Sequence, residues 1–599
     1  MATFERVIRS GLWFDGKGSL PAVRDLGIRD GRVAAVSAEP LEGDEVIDAE
    51  GKWVMPGFID NHTHYDAEVL VAPGLTESVR HGVTTVVMGS CSLSAVFSDA
   101  DDVSDLFTRV EALPRDYVLP LLRQTKDWSC PAGFVERLES LPLGPHVASF
   151  IGHSDMRAAV MGLGRATDPD EQPTEDELVR MEAMLDDALQ QGFLGLSTMT
   201  NPWDKLDGER YRSRALPSTY APWSEYARLS RRLRAAGRVL QGAPNLTTKY
   251  NLFFYLWESL GGRGPALKTT LITAADTKAD PWIFGGVRLL LHLANRWLGA
   301  DLRFQSVPAP FEVYADGMDL VVFEEFGSGE AALHLADELQ RNELLRDPAY
   351  RRRFRKDYDK QWGARVWHRD FHDAEIVACP DGELVGLSFG AVAADRSVHP
   401  ADVFLDLVVA HGSRLRWRTT IANHRPEAIE AMITDPNLHL GFADSGAHLR
   451  NMAFYNFPVR VLKLVHEAEQ AGRPFTTLQQ AVAALTGDLA DWLGLDAGTL
   501  TVGDRADIAI IDPAGLTDAV DDYHEAPMPE MGGHLRMVRR NDAAVAATLV
   551  AGEVVQTYGT FVEGYGRSRR TGRFLRAGEA RGTVLAPATV AGPVELASK

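Results

Sequence analysis

The run Met55-Pro56-Gly57-Phe58-Ile59-Asp60-Asn61-His62-Thr63-His64-Tyr65-Asp66 decides how the chain is read. A Pro-Gly turn leads into an apolar stretch that reads as a buried strand ending in two histidines spaced two apart. Side chains alternate faces along a strand, so His62 and His64 point the same way. Two imidazoles converging from one strand end can hold a divalent metal. An isolated His-x-His is more often a pair of satisfied histidines in a turn. Here the strand lead-in places the pair at a carboxyl end, where parallel α/β barrels carry their chemistry.

Working outward, strands and helices alternate, the pattern of a parallel α/β fold. Thr174-Glu175-Asp176-Glu177 is a capping box, with Leu178, Met181, Leu185 and Ala188 at helical spacing behind it and Gly192 as the stop. The strand Phe193–Ser197 follows. Tyr226, Leu229 and Leu233 line a second helix that Gly237 ends before Val239-Leu240 opens the next strand. Residues 1–55 and the stretch near 498–565 read instead as short strands punctuated by Gly turns. The middle, about 250–400, carries Trp257, Trp282, Trp297, Trp362 and Trp367 and the charged run Arg351–Asp357. It reads as an insertion that either packs its own core with a solvated helix face or walls the pocket.

The 599 residues suffice for several domains or one large barrel with insertions. An apolar share of 45% and a charged share of 24% are those of a soluble globular protein. Lys and Arg total 62 against 83 Asp and Glu, a net charge of −21 that argues against a nucleic-acid partner. No apolar run is long enough to span a membrane, and Met1–Val7 lacks a signal-peptide pattern, so the cytoplasm is the expected location. Cys91, Cys130 and Cys379 are too few and too scattered for a disulfide framework. Self-association stays open.

Further motifs carry a resemblance. Val83–Cys91 (VTTVVMGSC), Gly152–Gly162 (GHSDMRAAVMG), Gly195-Leu196-Ser197, Gly441–His448 (GFADSGAH) and Gly503–Asp512 (GDRADIAIID) together resemble the N-acyl-D-amino-acid deacylase branch of the amidohydrolase superfamily. The resemblance spans most of the chain outside 250–400. It implies an α/β fold: a distorted (β/α)8 TIM-like barrel over 56–490, a small β-sandwich built from 1–55 and 491–575, and a tail over 576–599. It also implies a metal-dependent hydrolase acting on a small-molecule amide, an N-acyl-amino acid first among the candidates. A cyclic-amide hydrolase or deaminase on the same barrel is one alternative, and an inactive binding relic another.

Asp444 follows the short apolar run His439–Ala443 and suits the end of the last barrel strand. There a carboxylate can bind a metal and take the proton of an activated water; the competing reading is a helix N-cap. By resemblance Asp444 has both roles, and Cys91 is a metal ligand, a thiolate that suits zinc. Against the family pattern, the fifth-strand candidate Val239–Pro244 and the sixth, Thr269–Asp276, hold no histidine, and 192–200 offers no lysine. Gln241 and Asp276 are poor replacements. One divalent ion, zinc, on His62, His64 and Asp444 with Cys91 nearby is therefore expected rather than two. Arg157, Gln241 and His448 are the expected substrate contacts, Arg157 because a guanidinium binds carboxylates bidentately. His448 and His424 are further ligand candidates, and Arg450 a second, weaker arginine.

Overall fold

The computed structural model describes residues 4–245, 251–360, 363 and 365–579. Trp362 and residues 580–599 of the tail lie outside the described residues.

Parallel strands run through eight successive positions, but in three separate ladders. Phe58–Asp60, Val83–Met88 and His146–Ser149 form the first. Ile151–Gly152, Gly195–Met199, Val239–Ala243, Lys268–Leu271, Asp301–Ser306 and Leu438–Leu440 form the second. Phe442–Ser445 beside His62–Thr63 forms the third. The hydrogen bonding breaks at Asn61, Phe150 and Gly441, so the expected barrel is present as an eight-position parallel arrangement and not as one closed ladder. Gly441 has φ +121°, a backbone that other residues rarely adopt, and it turns the last strand inward.

The helix expectations have direct counterparts. Glu175–Gln190 starts on the Thr174/Glu177 capping box and buries Met181, Leu185 and Ala188. Trp223–Ala236 ends on Gly237 in the left-handed conformation and hands over to Val239–Ala243. Each helix returns the chain to the next parallel strand, which is why the strand ends gather at one mouth.

The chain ends share one mixed sheet of nine strands. Trp53–Pro56 pairs antiparallel with Ile508–Ile511, which joins Val545–Val550, Glu553–Thr557 and Thr560–Phe561 to the amino-terminal strands. All nine strands, from both chain ends, are joined in one hydrogen-bonded sheet. Pro56-Gly57 carries the chain from this sheet into Phe58–Asp60. A Cβ on Gly57 would sit 2.1 Å from Thr84 Oγ1, so only glycine passes there.

The separate unit in the middle is shorter than the sequence suggests. Residues 251–306 still supply helices and strands of the parallel set, because Lys268–Leu271 and Asp301–Ser306 keep its register. The departure runs from Phe311 to Ala422. Strand Arg416–Ala422 pairs antiparallel with both Phe311–Asp316 and Ala374–Ala378. Phe323, Phe354, Trp367, Phe371, Phe404 and Trp417 close a core of their own beneath the helices. Helix Pro348–Asp359 buries Tyr350, Phe354 and Tyr358 and exposes Arg352, Arg353 and Lys356, while Arg351 and Arg355 pair with Asp406 and Asp402. Trp282 and Trp297 belong to no core and are 86% and 71% exposed. Among the described residues no helix is long and apolar enough to cross a membrane.

A buried ion network ties the strand His534–Val538 to the first helices of the parallel unit. Arg536 Nη1 lies 2.8 Å from Glu68 Oε1, and Arg540 Nε lies 3.2 Å from both Glu77 oxygens. Burial raises the Glu77 carboxyl, but Arg536 and Arg540 outweigh it and bring it from 4.5 to about 2. A depressed folded-state pKa stabilises the fold above the unfolded value and ceases to do so as pH falls through the folded one. We therefore expect this contribution to be complete above about pH 4.5 and lost between there and about pH 2. Glu77→Gln should cost about 3–5 kcal/mol at neutral pH and flatten that acid limb, as read by urea denaturation at stepped pH. An unchanged acid limb would remove Glu77 from the account.

Candidate metal centre

His62 leaves the first parallel position and His64 lies two residues on, both fully buried. His64 N–H donates to Ser445 O at 2.8 Å, locking this segment to the last strand. His62 Nδ1 lies 2.6 Å from Gln305 Oε1, at the end of Asp301–Ser306. An amide oxygen there requires the proton on Nδ1 and leaves the Nε2 lone pair free for a ligand. Sequence reasoning missed Gln305, because nothing local marks a glutamine as the orienting partner of a histidine far away in the chain.

Four donor atoms converge. His62 Nε2 is 3.3 Å from Cys91 Sγ, 3.3 Å from His64 Nε2 and 3.6 Å from Asp444 Oδ1. His64 Nε2 is 3.2 Å from Asp444 Oδ1. Bonds of roughly 2.0–2.3 Å to a tetrahedral ion place neighbouring donors roughly 3.3–3.8 Å apart, and the spacings among His62, His64 and Asp444 and from His62 to Cys91 are of that order. Glu111 is the donor the sequence did not reveal: His64, Glu111 and Asp444 form a second cluster of potential ligand atoms next to His62, His64 and Cys91. Glu111 sits in a short turn after helix Ala100–Phe107, with no motif around it. His448 closes this side, its Nε2 3.7 Å from Glu111 Oε2 and 3.7 Å from Asp444 Oδ2. Cys91, Asp444 and His448 all have positive φ, 54°, 56° and 49°. Strain of this kind at non-glycine residues gathers at functional sites.

The electrostatics match a cation site. Burial lowers the His62 imidazole to about 4, which keeps it in the neutral, ligating form. Burial also pulls His64 down, but Glu111 and Asp444 outweigh it and hold it above its ordinary value. Burial raises Asp444, yet His64, His448 and His62 together hold its carboxyl below the usual range. Burial pushes the Cys91 thiol up to about 12 and Glu111 up to about 8. A dication reverses both of the last shifts, since it favours thiolate and carboxylate alike. Gln241 Nε2 and His64 Nδ1 are buried without a hydrogen-bond partner among the described residues. Nitrogen, sulfur and oxygen donors in this mixture suit zinc.

Of the other expected contacts, His448 lines the cavity. Gln241 does not; its Oε1 accepts the Cys91 N–H at 3.2 Å, so it supports the ligand turn from behind. Arg157 is the clear correction. It is fully buried and paired with Glu225, whose other oxygen lies 2.6 Å from His153 Nε2. The helix His153–Met161 turns this arginine into the protein, away from the cavity. Asp276 is held by Arg425, Arg450 by Asp316 and Glu525, and His424 is exposed. Cys130 is exposed and Cys379 is half-buried.

Gln305→Ala should lower metal affinity about ten- to a hundredfold, the usual consequence of freeing a ligating histidine. Competition with a chelator of known affinity measures this, and unchanged affinity would detach Gln305 from the centre.

Comparison with known proteins agrees with the geometry. The model of the amidohydrolase family matches residues 45–119. An uncharacterized protein of Mycobacterium tuberculosis (strain H37Rv) is 54% identical over 592 residues, 96% of each chain. The N-acyl-D-aspartate deacylase of Alcaligenes xylosoxydans xylosoxydans is 36% identical over 200 residues, 32% of this chain and 36% of that one. A D-aminoacylase with a binuclear metal centre superposes with a TM-score of 0.61 at 22% identity, over 96% of this chain and all of the other. The N-acyl-D-glutamate deacylase of Bordetella bronchiseptica, complexed with zinc and a phosphonate inhibitor, gives 0.61 at 21% identity over the same shares. The chain is thus similar to the amidohydrolase family over residues 45–119 and to N-acyl-D-amino-acid deacylases over about a third of its length, and it shares the fold of D-aminoacylase.

Proposed function

We propose that the chain is a metal-dependent amidohydrolase working with one divalent ion, zinc, on a distorted (β/α)8 barrel. The observation that carries this is the convergence of His62, His64 and Asp444 at 3.2–3.6 Å spacings, with Cys91 Sγ 3.3 Å from His62 Nε2, opening on a cavity of about 680 Å³. His62, His64, Cys91 and Asp444 would hold the ion. When bound, such an ion supplies Lewis acidity toward a carbonyl oxygen and makes water a stronger acid.

The residues of the chain do the rest. Asp444 is ionised at neutral pH, the form a proton acceptor needs. Its Oδ1 faces the imidazoles and its Oδ2 faces His448. Oδ2 takes the proton of the attacking water and returns it to the leaving nitrogen. His448 Nε2 lies 3.7 Å from both Asp444 Oδ2 and Glu111 Oε2, where it steadies the proton transfer.

The substrate class carried over from the deacylase relatives is an N-acyl-amino acid. Support for one ion comes from the similar D-aminoacylase, whose centre is described as activated by one metal and attenuated by a second. A carboxylate on the substrate needs a cation, and Arg365 is the one guanidinium among the described residues lining the cavity. We assign it the role that the buried Arg157 does not fill.

Metal analysis should give about one equivalent per chain in this single-ion site. Chelation should abolish amide hydrolysis and zinc should restore it. Asp444→Asn should lower kcat/KM by about 10²–10⁴ with an unaltered circular-dichroism spectrum. Arg365→Ala should raise KM for a carboxylate-bearing substrate by about 10–100-fold, the equivalent of one charged hydrogen bond, and leave a carboxamide analogue unaffected. Full activity in D444N would overturn the mechanism, and equal effects on the acid and the carboxamide would overturn the Arg365 assignment.

A further inference from the structure

The cavity beside the metal centre has two unlike ends. At one end stand His64, Cys91, Glu111, Asp444 and His448. Away from them the wall is built by three elements that contribute carbon. Helix Asn251–Ser259 presents Leu252, helix Ile283–Trp297 presents Ile283, Phe284 and Val287, and the antiparallel sheet of the inserted unit presents Phe311 and Ile421. Phe284 and Ile421 are 6% and 5% exposed and form the deep part of this wall, while Leu252, Ile283, Val287 and Phe311 are half-buried.

We propose that the substrate carries a bulky apolar group on its scissile amide, a medium-length alkyl or acyl chain or an aryl group, which fills this chamber. The inference rests on the amidohydrolase reading above. The volume falls within the range that buries a drug-sized ligand, and a small acyl group such as acetyl would leave most of it filled by water against a hydrocarbon wall. The charge pattern points the same way. Of the described lining residues away from the five at the metal end, the charged ones are Asp204, Asp280 and Arg365. Two carboxylates and one guanidinium can orient one polar group of the substrate, but they cannot receive a polyanionic one. The apolar stretch must therefore be matched by carbon. Apolar side chains from two helices and an inserted sheet would not meet around a void of this size for packing alone, because protein interiors close such spaces.

The test uses the zinc-loaded full chain and two matched series, N-acyl-glycines from acetyl to decanoyl and N-acetyl-alkylamines from methyl to decyl. Each buried methylene should raise kcat/KM about threefold to fourfold, so the longest member of at least one series should exceed the shortest by at least about a hundredfold. Val287→Trp, which narrows the chamber, should cut that ratio at least about tenfold. A second measurement needs no turnover: 1-octanol should bind the protein saturably, one per chain, by isothermal titration, and V287W should weaken that binding. Hydrolysis with a preference for the shortest members in both series, or no saturable octanol binding, would overturn the apolar chamber and leave the hydrolase intact. Saturable octanol binding without hydrolysis of any amide would instead overturn the hydrolase reading, and the substrate assignment with it.

Discussion

The parallel pairing of His62–Thr63 with Phe442–Ser445 is the contact on which the site depends. It joins segments far apart in the chain: Ser445 Oγ donates to Asp60 Oδ2 at 2.9 Å across 385 residues. The Asp60 carboxyl is buried and raised by that burial, so it is held in place by the hydroxyl and backbone groups around it and not by a counter-charge. With this pairing made, the Asp444 carboxylate falls between two imidazoles. Without it, the two histidines would be a strand end facing nothing.

The centre is a cluster whose members are mismatched to one another until a cation is counted. Two carboxylates, Glu111 and Asp444, lie buried around the same His64, while burial keeps the nearby Cys91 a thiol. Charges of one sign held together out of water are costly unless something opposite is shared between them. The His64 imidazole lies nearer to both than His448 does, and the two carboxyl groups together hold its proton above the ordinary value. A dication performs the same task with twice the charge, and it also accounts for the free lone pair that Gln305 leaves on His62.

Around this centre the inserted unit has two jobs that its sequence does not separate. Most of its aromatic residues close a private core, in which Phe404 stacks on Phe323, Phe354 and Phe371. Phe311 and Ile421, at the edge nearest the parallel strands, instead face the cavity. An independent core lets the unit present a stiff wall without borrowing stability from the barrel strands.

Much was determined locally. The Thr174 capping box, the Gly237 stop and the alternation of helix and strand are encoded within a few residues, because capping and hydrophobic periodicity are short-range. His62, His64, Cys91 and Asp444 were legible since each closes an apolar strand-like run. What only the tertiary structure decided is which polar residues meet. Glu111 lies in an unmarked turn, Gln305 ends a strand that reads as ordinary core, and Arg157, in a stretch that suggested substrate, is spent on Glu225 inside the protein. Sequence spacing sets the side of a strand or helix on which a residue stands. Its partner is set by packing among elements hundreds of residues apart, and that choice appears only when the chain has folded.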